Sequence, residues 1–139
     1  MAITKFRGKY HFLSNMYPVG ITLDNGEFYP SAEHAFQAMK TLDDNERIAI
    51  SLCRSPEEAR EAGRQLALRP DWEFIKNDVM YNILRSKFDD VELARMLRDT
   101  GSEELVEGNT WGDTYWGVCN GSGQNVLGNM LMRIRRDIA

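Results

Sequence analysis

Apolar residues recur along much of this chain at intervals of three and four, and the polar residues between them mark where each run begins. Ala32, Ala35, Phe36 and Met39 follow i, i+3, i+4 and i+7, the spacing of one buried helical face. Pro30 lacks a backbone N–H and Ser31 can cap the free N–H groups of the next turn, so a helix is predicted to start there and run toward Lys40. Glu33, Gln37 and Lys40 share the spacing and form a polar stripe beside the apolar one. Upstream, Phe6 to Pro18 is dense in aromatics without a helical period and reads as a packed loop. Ile21 to Tyr29 reads as a hairpin, with Asn25-Gly26 supplying the positive φ angles of a tight turn.

Helical patterning then continues. Asp43-Asp44 opens a helix running toward Arg54 with Ile48, Ala49 and Leu52 on one face. Ser55-Pro56-Glu57-Glu58 combines a cap, a proline and first-turn acids, and starts a helix carrying Ala59, Ala62, Gly63 and Leu66. Pro70-Asp71-Trp72 begins the longest helix, with Trp72, Ile75, Val79 and Ile83 as its seam. Asp89-Asp90 starts another, buried through Val91, Ala94 and Leu97 and stopped by Gly101. Glu104 to Glu107 is a short strand, and Gly108 to Val118 is rich in glycine and aromatics. A tight loop, Asn120 to Asn125, feeds a last helix with Leu127, Met130, Leu131, Ile134 and Ile138 inward. These elements predict a compact, helix-rich α+β fold with a few short strands, and 139 residues without repeat or linker predict one domain, 1–139.

Composition narrows the classes. Hydrophobic content of 42% and charged content of 27% are those of an ordinary globular protein. A net charge of −4 does not advertise a duplex-binding surface, although a local basic groove is compatible with it. Cys53 and Cys119 have no metal spacing, there are only two histidines, and no apolar run approaches membrane-spanning length. With no signal-peptide core at the N-terminus, a cytoplasmic protein without metal or other cofactor is expected.

Four stretches have chemical potential. Glu33 either flanks its helix or lines a pocket as acid, base or charge stabiliser. Trp116 offers a flat wall to a planar group, with Asp113 just before it, though tryptophan is more often core and Asp113 could simply cap a turn. The glycine-rich loop before the last helix could turn N–H groups toward a phosphate, but it matches no complete phosphate-binding fingerprint. Ser14 and Asn15, small and polar between apolar neighbours, could cap backbone or meet a ligand.

Three blocks of sequence together resemble the NADAR (YbiA-like) superfamily. Phe12 to Pro18 is close to its F-L-S-N-F-x-P pattern, and Tyr29 to Lys40 is similar to Y-P-T-x-E-H-x-F-Q-A-x-K. Asp113 to Gly117 and Gly121 to Met132 match D-x-x-W-G and G-x-G-x-N-x-L-G-x-x-L-M; Gly63-Arg64 and Arg69 to Trp72 also fit. The resemblance implies an N-glycosyl hydrolase acting on ribosyl–nitrogen bonds of a phosphoribosyl-type or ADP-ribosyl substrate, such as riboflavin-pathway intermediates. With no ligand cluster to read in the sequence, it is expected to be metal-independent. The alternatives are removal of ADP-ribose from guanine in modified DNA, or a non-catalytic sensor of ADP-ribose or a nucleotide. The implied partner is thus a small ribosylated molecule, or ADP-ribosylated DNA, with no membrane and no obligate protein partner. Carried onto this chain, Glu33 and Asp113 become the catalytic pair. Glu33 would serve the sugar and its water and Asp113 the ribose or leaving group, or the reverse. Ser14, Asn15, His34, Lys40, Arg64, Trp116, Gly123 and Asn125 become substrate-binding candidates. His34 could equally be a structural hydrogen-bonder. The chain departs from the family pattern at Met16, Ala35 and Met39, which bears on substrate choice more than on chemistry.

Overall fold

Four of the predicted helix starts are made by the expected side chains. Ser31 accepts a hydrogen bond from the His34 N–H, Asp43 from Glu46, Ser55 from Glu58 and Asp90 from Leu93. Each satisfies one of the N–H groups that the first turn leaves without a partner. The computed structural model describes Met1–Ala139 and has an α+β fold of six α-helices, one 3-10 helix and six short strands in three two-stranded sheets. The chain divides into two compact units, residues 15–87 and residues 1–14 with 88–139.

In the 15–87 unit, β2 (Pro18–Thr22) and β3 (Phe28–Ser31) pair antiparallel, with Ile21 opposite Tyr29, and β3 runs directly into α1 (Ala32–Ala38). All seven residues of α1 are buried, so its polar stripe lies inside as well as its apolar face. Around it pack α2 (Asp44–Ser51), α3 (Pro56–Arg64) and α4 (Trp72–Lys87).

Two expectations in this unit need correction. The hairpin turn is not a two-residue one: Gly26 alone has positive φ, +87°, and the loop is closed by Leu23 N–H to Glu27 carbonyl at 2.9 Å. Asn25 stays in the ordinary region, its side-chain oxygen accepting the Glu27 N–H at 2.9 Å. The α2 face is also the other way round. Ile50 is buried, while Ile48 and Leu52 are 56% and 74% exposed. Polar anchors set that rotation: Arg47 Nε donates to the Thr41 carbonyl at 2.8 Å, and Thr41 Oγ1 donates to Glu46 at 2.5 Å. In α4, Trp72 and Ile83 are buried as expected, with Met80 and Leu84, while Ile75 and Val79 are only half-buried.

In the other unit, β1 (Ala2–Ile3) pairs parallel with β4 (Glu104–Leu105), and β5 (Gly108–Asn109) pairs parallel with β6 (Val118–Cys119). The expected loop after Phe6 contains a 3-10 helix, Gly8–Leu13, tied by bonds such as Tyr10 N–H to the Arg7 carbonyl. Its tight three-residue repeat leaves no 3.6-residue pattern to read. Helix α5 (Val91–Asp99) buries Leu93, Ala94 and Leu97, while Val91 is 83% exposed, about a third of a turn off that stripe. Gly101, with φ +66°, ends the helix as expected. Helix α6 (Val126–Asp137) buries Leu127, Leu131 and Ile134 and packs on α5, where Arg135 donates to Thr100 Oγ1 at 2.8 Å. No helix is long and apolar enough to cross a membrane.

Candidate active site

Glu33 sits in the first turn of α1 and is 6% exposed. Its backbone N–H is bonded to the Asn15 carbonyl at 3.0 Å, so the segment after the 3-10 helix fixes where the helix begins. The two carboxylate oxygens differ. Oε2 accepts from Gln37 Nε2 at 2.6 Å and lies 3.6 Å from Arg60 Nε on α3. Oε1 is not engaged by a hydrogen bond, yet it is not among the fully buried polar atoms lacking one. A carboxylate tethered by one oxygen, with the other open, can take a proton from water or lie against a cationic sugar.

Positive charge surrounds it. Lys40, half-buried at the end of the same polar stripe, has its Nζ 5.7 Å from the Phe36 ring centre. Burial holds its ammonium below the ordinary lysine range; Glu33 works against that shift, and Arg64 and Arg60 add to it. Arg64 is exposed and pairs with Glu61 at 3.1 Å. Lys40 and Arg60 thus stand near one buried carboxylate, while Arg64, itself paired with Glu61, acts on Lys40; the two cations against one carboxylate favour an anionic ligand group.

Other candidates in this unit are occupied by the fold. The His34 ring is buried, with Nδ1 2.7 Å from Ser31 Oγ and Nε2 3.0 Å from the Cys53 carbonyl. That pair of partners selects the tautomer with the proton on Nε2 and holds the ring as a brace. Asn15 Nδ2 donates to Met80 Sδ at 3.4 Å, and its Oδ1 is buried without a partner. A cavity of about 230 Å³ between the hairpin turn and α4, lined by Leu23, Met39, Val79 and Ile83 among others, includes none of the candidate residues.

The remaining candidates belong to the other unit. Ser14 ends the 3-10 helix, its N–H bonded to the His11 carbonyl at 2.9 Å. Asp113 Oδ1 accepts the N–H groups of Tyr115 at 3.1 Å and Trp116 at 3.0 Å, so one oxygen caps a turn. Asn109 clasps that turn, donating to the Asp113 carbonyl at 2.8 Å and accepting its N–H at 3.0 Å. Trp116 meets Tyr115 edge to face, ring centres 4.9 Å apart. Gly123 lies so near the Gly117 carbonyl that a Cβ would stand 2.2 Å from it. Asn125, with φ +53°, donates to the Leu105 carbonyl at 2.9 Å and accepts the Glu107 N–H at 3.0 Å. Glycine and asparagine here build the loop; both polar ends of the Asn125 side chain are taken by backbone.

The structure therefore gathers Glu33 and Lys40 with Gln37, read from sequence only as part of the polar stripe, and with Arg60, not read from sequence at all; Arg64 acts on Lys40. The i, i+4 interval from Glu33 to Gln37 was a legible sign. Arg60 carried none beyond its place one turn before Arg64.

The chain belongs to the NADAR domain family, which it matches over residues 4–139. It is 41% identical over 134 residues to the N-glycosidase YbiA of Shigella boydii, covering 94% of this chain and 82% of that protein. It is 37% identical over 143 residues to the chloroplastic riboflavin biosynthesis protein PYRR of Zea mays, covering 90% of this chain but 23% of that protein. Its structure is similar to the NMR structure of Escherichia coli YbiA, with a TM-score of 0.84 and 38% identity over 99% of this chain and 86% of that one.

Proposed function

We propose that this chain is an N-glycosidase that hydrolyses the bond between a ribose carbon and a base nitrogen, with Glu33 as the group that handles the sugar and its water. The observation that carries the proposal is the asymmetry of Glu33: Oε2 is tethered by Gln37 and Arg60, and Oε1 is unbonded. In the reaction the carbon–nitrogen bond breaks and its electron pair goes to the departing nitrogen. The anomeric carbon becomes cation-like and is stabilised by the carboxylate beside it. Water adds to that carbon and its proton passes to Glu33. The same proton, handed on directly or by exchange with solvent, ends on the departing base nitrogen, so the base leaves with hydrogen in place of the sugar and the carboxylate is regenerated. Relatives named as N-glycosidases support the class.

For the substrate we propose a phosphorylated ribosyl compound. Lys40 and Arg60 outnumber Glu33, Arg64 being paired with Glu61, and relatives named for riboflavin biosynthesis support a metabolite of that pathway. Asp113 belongs to the other unit and has one oxygen committed to its turn; a role for it toward the ribose or leaving group is proposed from the family resemblance alone.

The test is Glu33→Gln, assayed by mass spectrometry of products from a panel of ribosylated compounds, in EDTA because no step is routed through a metal. Turnover is expected to fall by roughly 10²–10⁴ with ligand affinity within a few-fold. An unchanged rate removes Glu33 from the chemistry. Ligands bound tightly by the wild type but never consumed would make the protein a sensor.

A further inference from the structure

We propose that Gln37 is a positioning residue for Glu33 and that the bare backbone of Gly63 is what seats it, an inference that rests on the role given to Glu33 above. Gln37 is buried and sits one turn after Glu33 on α1, so its side chain can reach back along the same face. Its Nε2 donates to Glu33 Oε2 at 2.6 Å, and its Oε1 is buried with no partner. Turning the amide over would set its oxygen against the carboxylate, acceptor facing acceptor, so the carboxylate dictates the orientation even though it strands the other end.

The stranded end lies against α3. A Cβ at Gly63 would be 1.9 Å from Gln37 Oε1, 2.6 Å from its Cδ and 3.0 Å from its Cβ. The clash runs along the whole side chain, so a small rotation of its tip would not relieve it. Gly63 lies in the last turn of α3 and is not among the positive-φ glycines, so conformational freedom does not explain it. Glycine is less favourable than alanine inside a helix. What it provides at this position is room. With Gln37 lodged there and Arg60 beside Oε2, the carboxylate cannot swing, and Oε1 is presented in one direction. Gln37 itself acts through Glu33.

Three single variants and one double variant test this: Gln37→Met, which keeps the shape and removes the donor, Gly63→Ala, Gln37→Ala, and Gly63→Ala combined with Gln37→Ala. The first readout needs no substrate. In wild-type protein one Gln37 Nε2 proton, facing a carboxylate, is expected downfield of free side-chain amides and slow to exchange by NMR. Gly63→Ala should return it to the free range while circular dichroism shows the helices intact. The second readout is turnover. Gln37→Met and Gly63→Ala should each lower kcat by roughly 10- to 100-fold, the scale of a misplaced reacting group, with KM within about threefold. Gly63→Ala should cost less than about twofold in the Gln37→Ala background, because its only route to Glu33 is gone. An unshifted Gln37 amide in the wild type, or fold-losses from Gly63→Ala and Gln37→Ala that simply multiply, would overturn the proposal. If the wild type turns over no ribosyl compound, the reading of function fails, while the amide signal still decides whether Gln37 is lodged on Gly63 and bound to Glu33.

Discussion

Replacing Asn125 with alanine separates a ligand-binding role from a structural one. Two bonds disappear: the Leu105 carbonyl loses a donor at 2.9 Å and the Glu107 N–H loses an acceptor at 3.0 Å. Asn125 and Leu105 are buried, so water does not readily replace the bond to the Leu105 carbonyl, while the half-buried Glu107 N–H loses a bond of ordinary strength, about 1 kcal/mol. A buried polar group left unpaired costs about 1–3 kcal/mol. The backbone adds to this, because φ of +53° is tolerated by asparagine and strained in alanine by roughly 1 kcal/mol. The expected loss is about 3–5 kcal/mol. For a chain of this size that lowers Tm by roughly 10–20 °C. Asn125→Gly relieves the backbone strain but not the lost bonds, so it should recover only about 1 kcal/mol of the loss. Urea unfolding of the three proteins, with KM measured on the folded fraction, reads both effects. If alanine costs less than about 1 kcal/mol and KM rises tenfold, Asn125 serves the ligand and the clasp is incidental.

Lys40→Met keeps the stem against Phe36 and removes an ammonium that burial disfavours. Stability at neutral pH should rise while turnover falls. Because the folded state holds the lysine proton less tightly than the unfolded state, wild-type stability climbs as pH rises from the lowered value toward the ordinary lysine range; the variant's gain should fade over that window in denaturant titrations, and a constant gain would refute the cause. The surplus of positive charge near Glu33 predicts that a phosphorylated ligand binds about ten- to a hundredfold more tightly than its nucleoside, the equivalent of a contact worth about 1.5–3 kcal/mol. Equal affinities by calorimetry would remove the phosphate from the proposed substrate.

Helix starts were the most legible part of this fold because a cap is a local event. Ser31, Asp43, Ser55 and Asp90 each need only an N–H three residues ahead. The faces of short helices were less legible, because their rotation depends on partners far along the chain. Ile48 and Leu52 form a better apolar stripe than Ile50, yet the bond from Arg47 to Thr41 and its ion pair with Glu27 turn Ile50 inward. Periodicity registers which residues share a face; it does not register which of two faces has an anchor.

The site was legible by residue type and illegible by duty, for a reason that lies in the chemistry of the side chains. A histidine, an asparagine or an aspartate in a motif can hold a ligand, and the same atoms can hold a turn. In His34 both ring nitrogens, and in Asn125 both amide ends, are already engaged, so neither can bind a ligand without breaking a bond that shapes its loop or helix. Asp113 is divided, with one oxygen capping the Tyr115–Trp116 turn. Glu33 is divided too, but its committed oxygen is held by side chains of Gln37 and Arg60 rather than by backbone. A bond to backbone builds the fold around a residue. The Glu33 oxygen is held by two other side chains, one of them seated on a glycine with no room for a methyl group, and on the proposed reading that mounting leaves the carboxylate to serve a ligand rather than a turn.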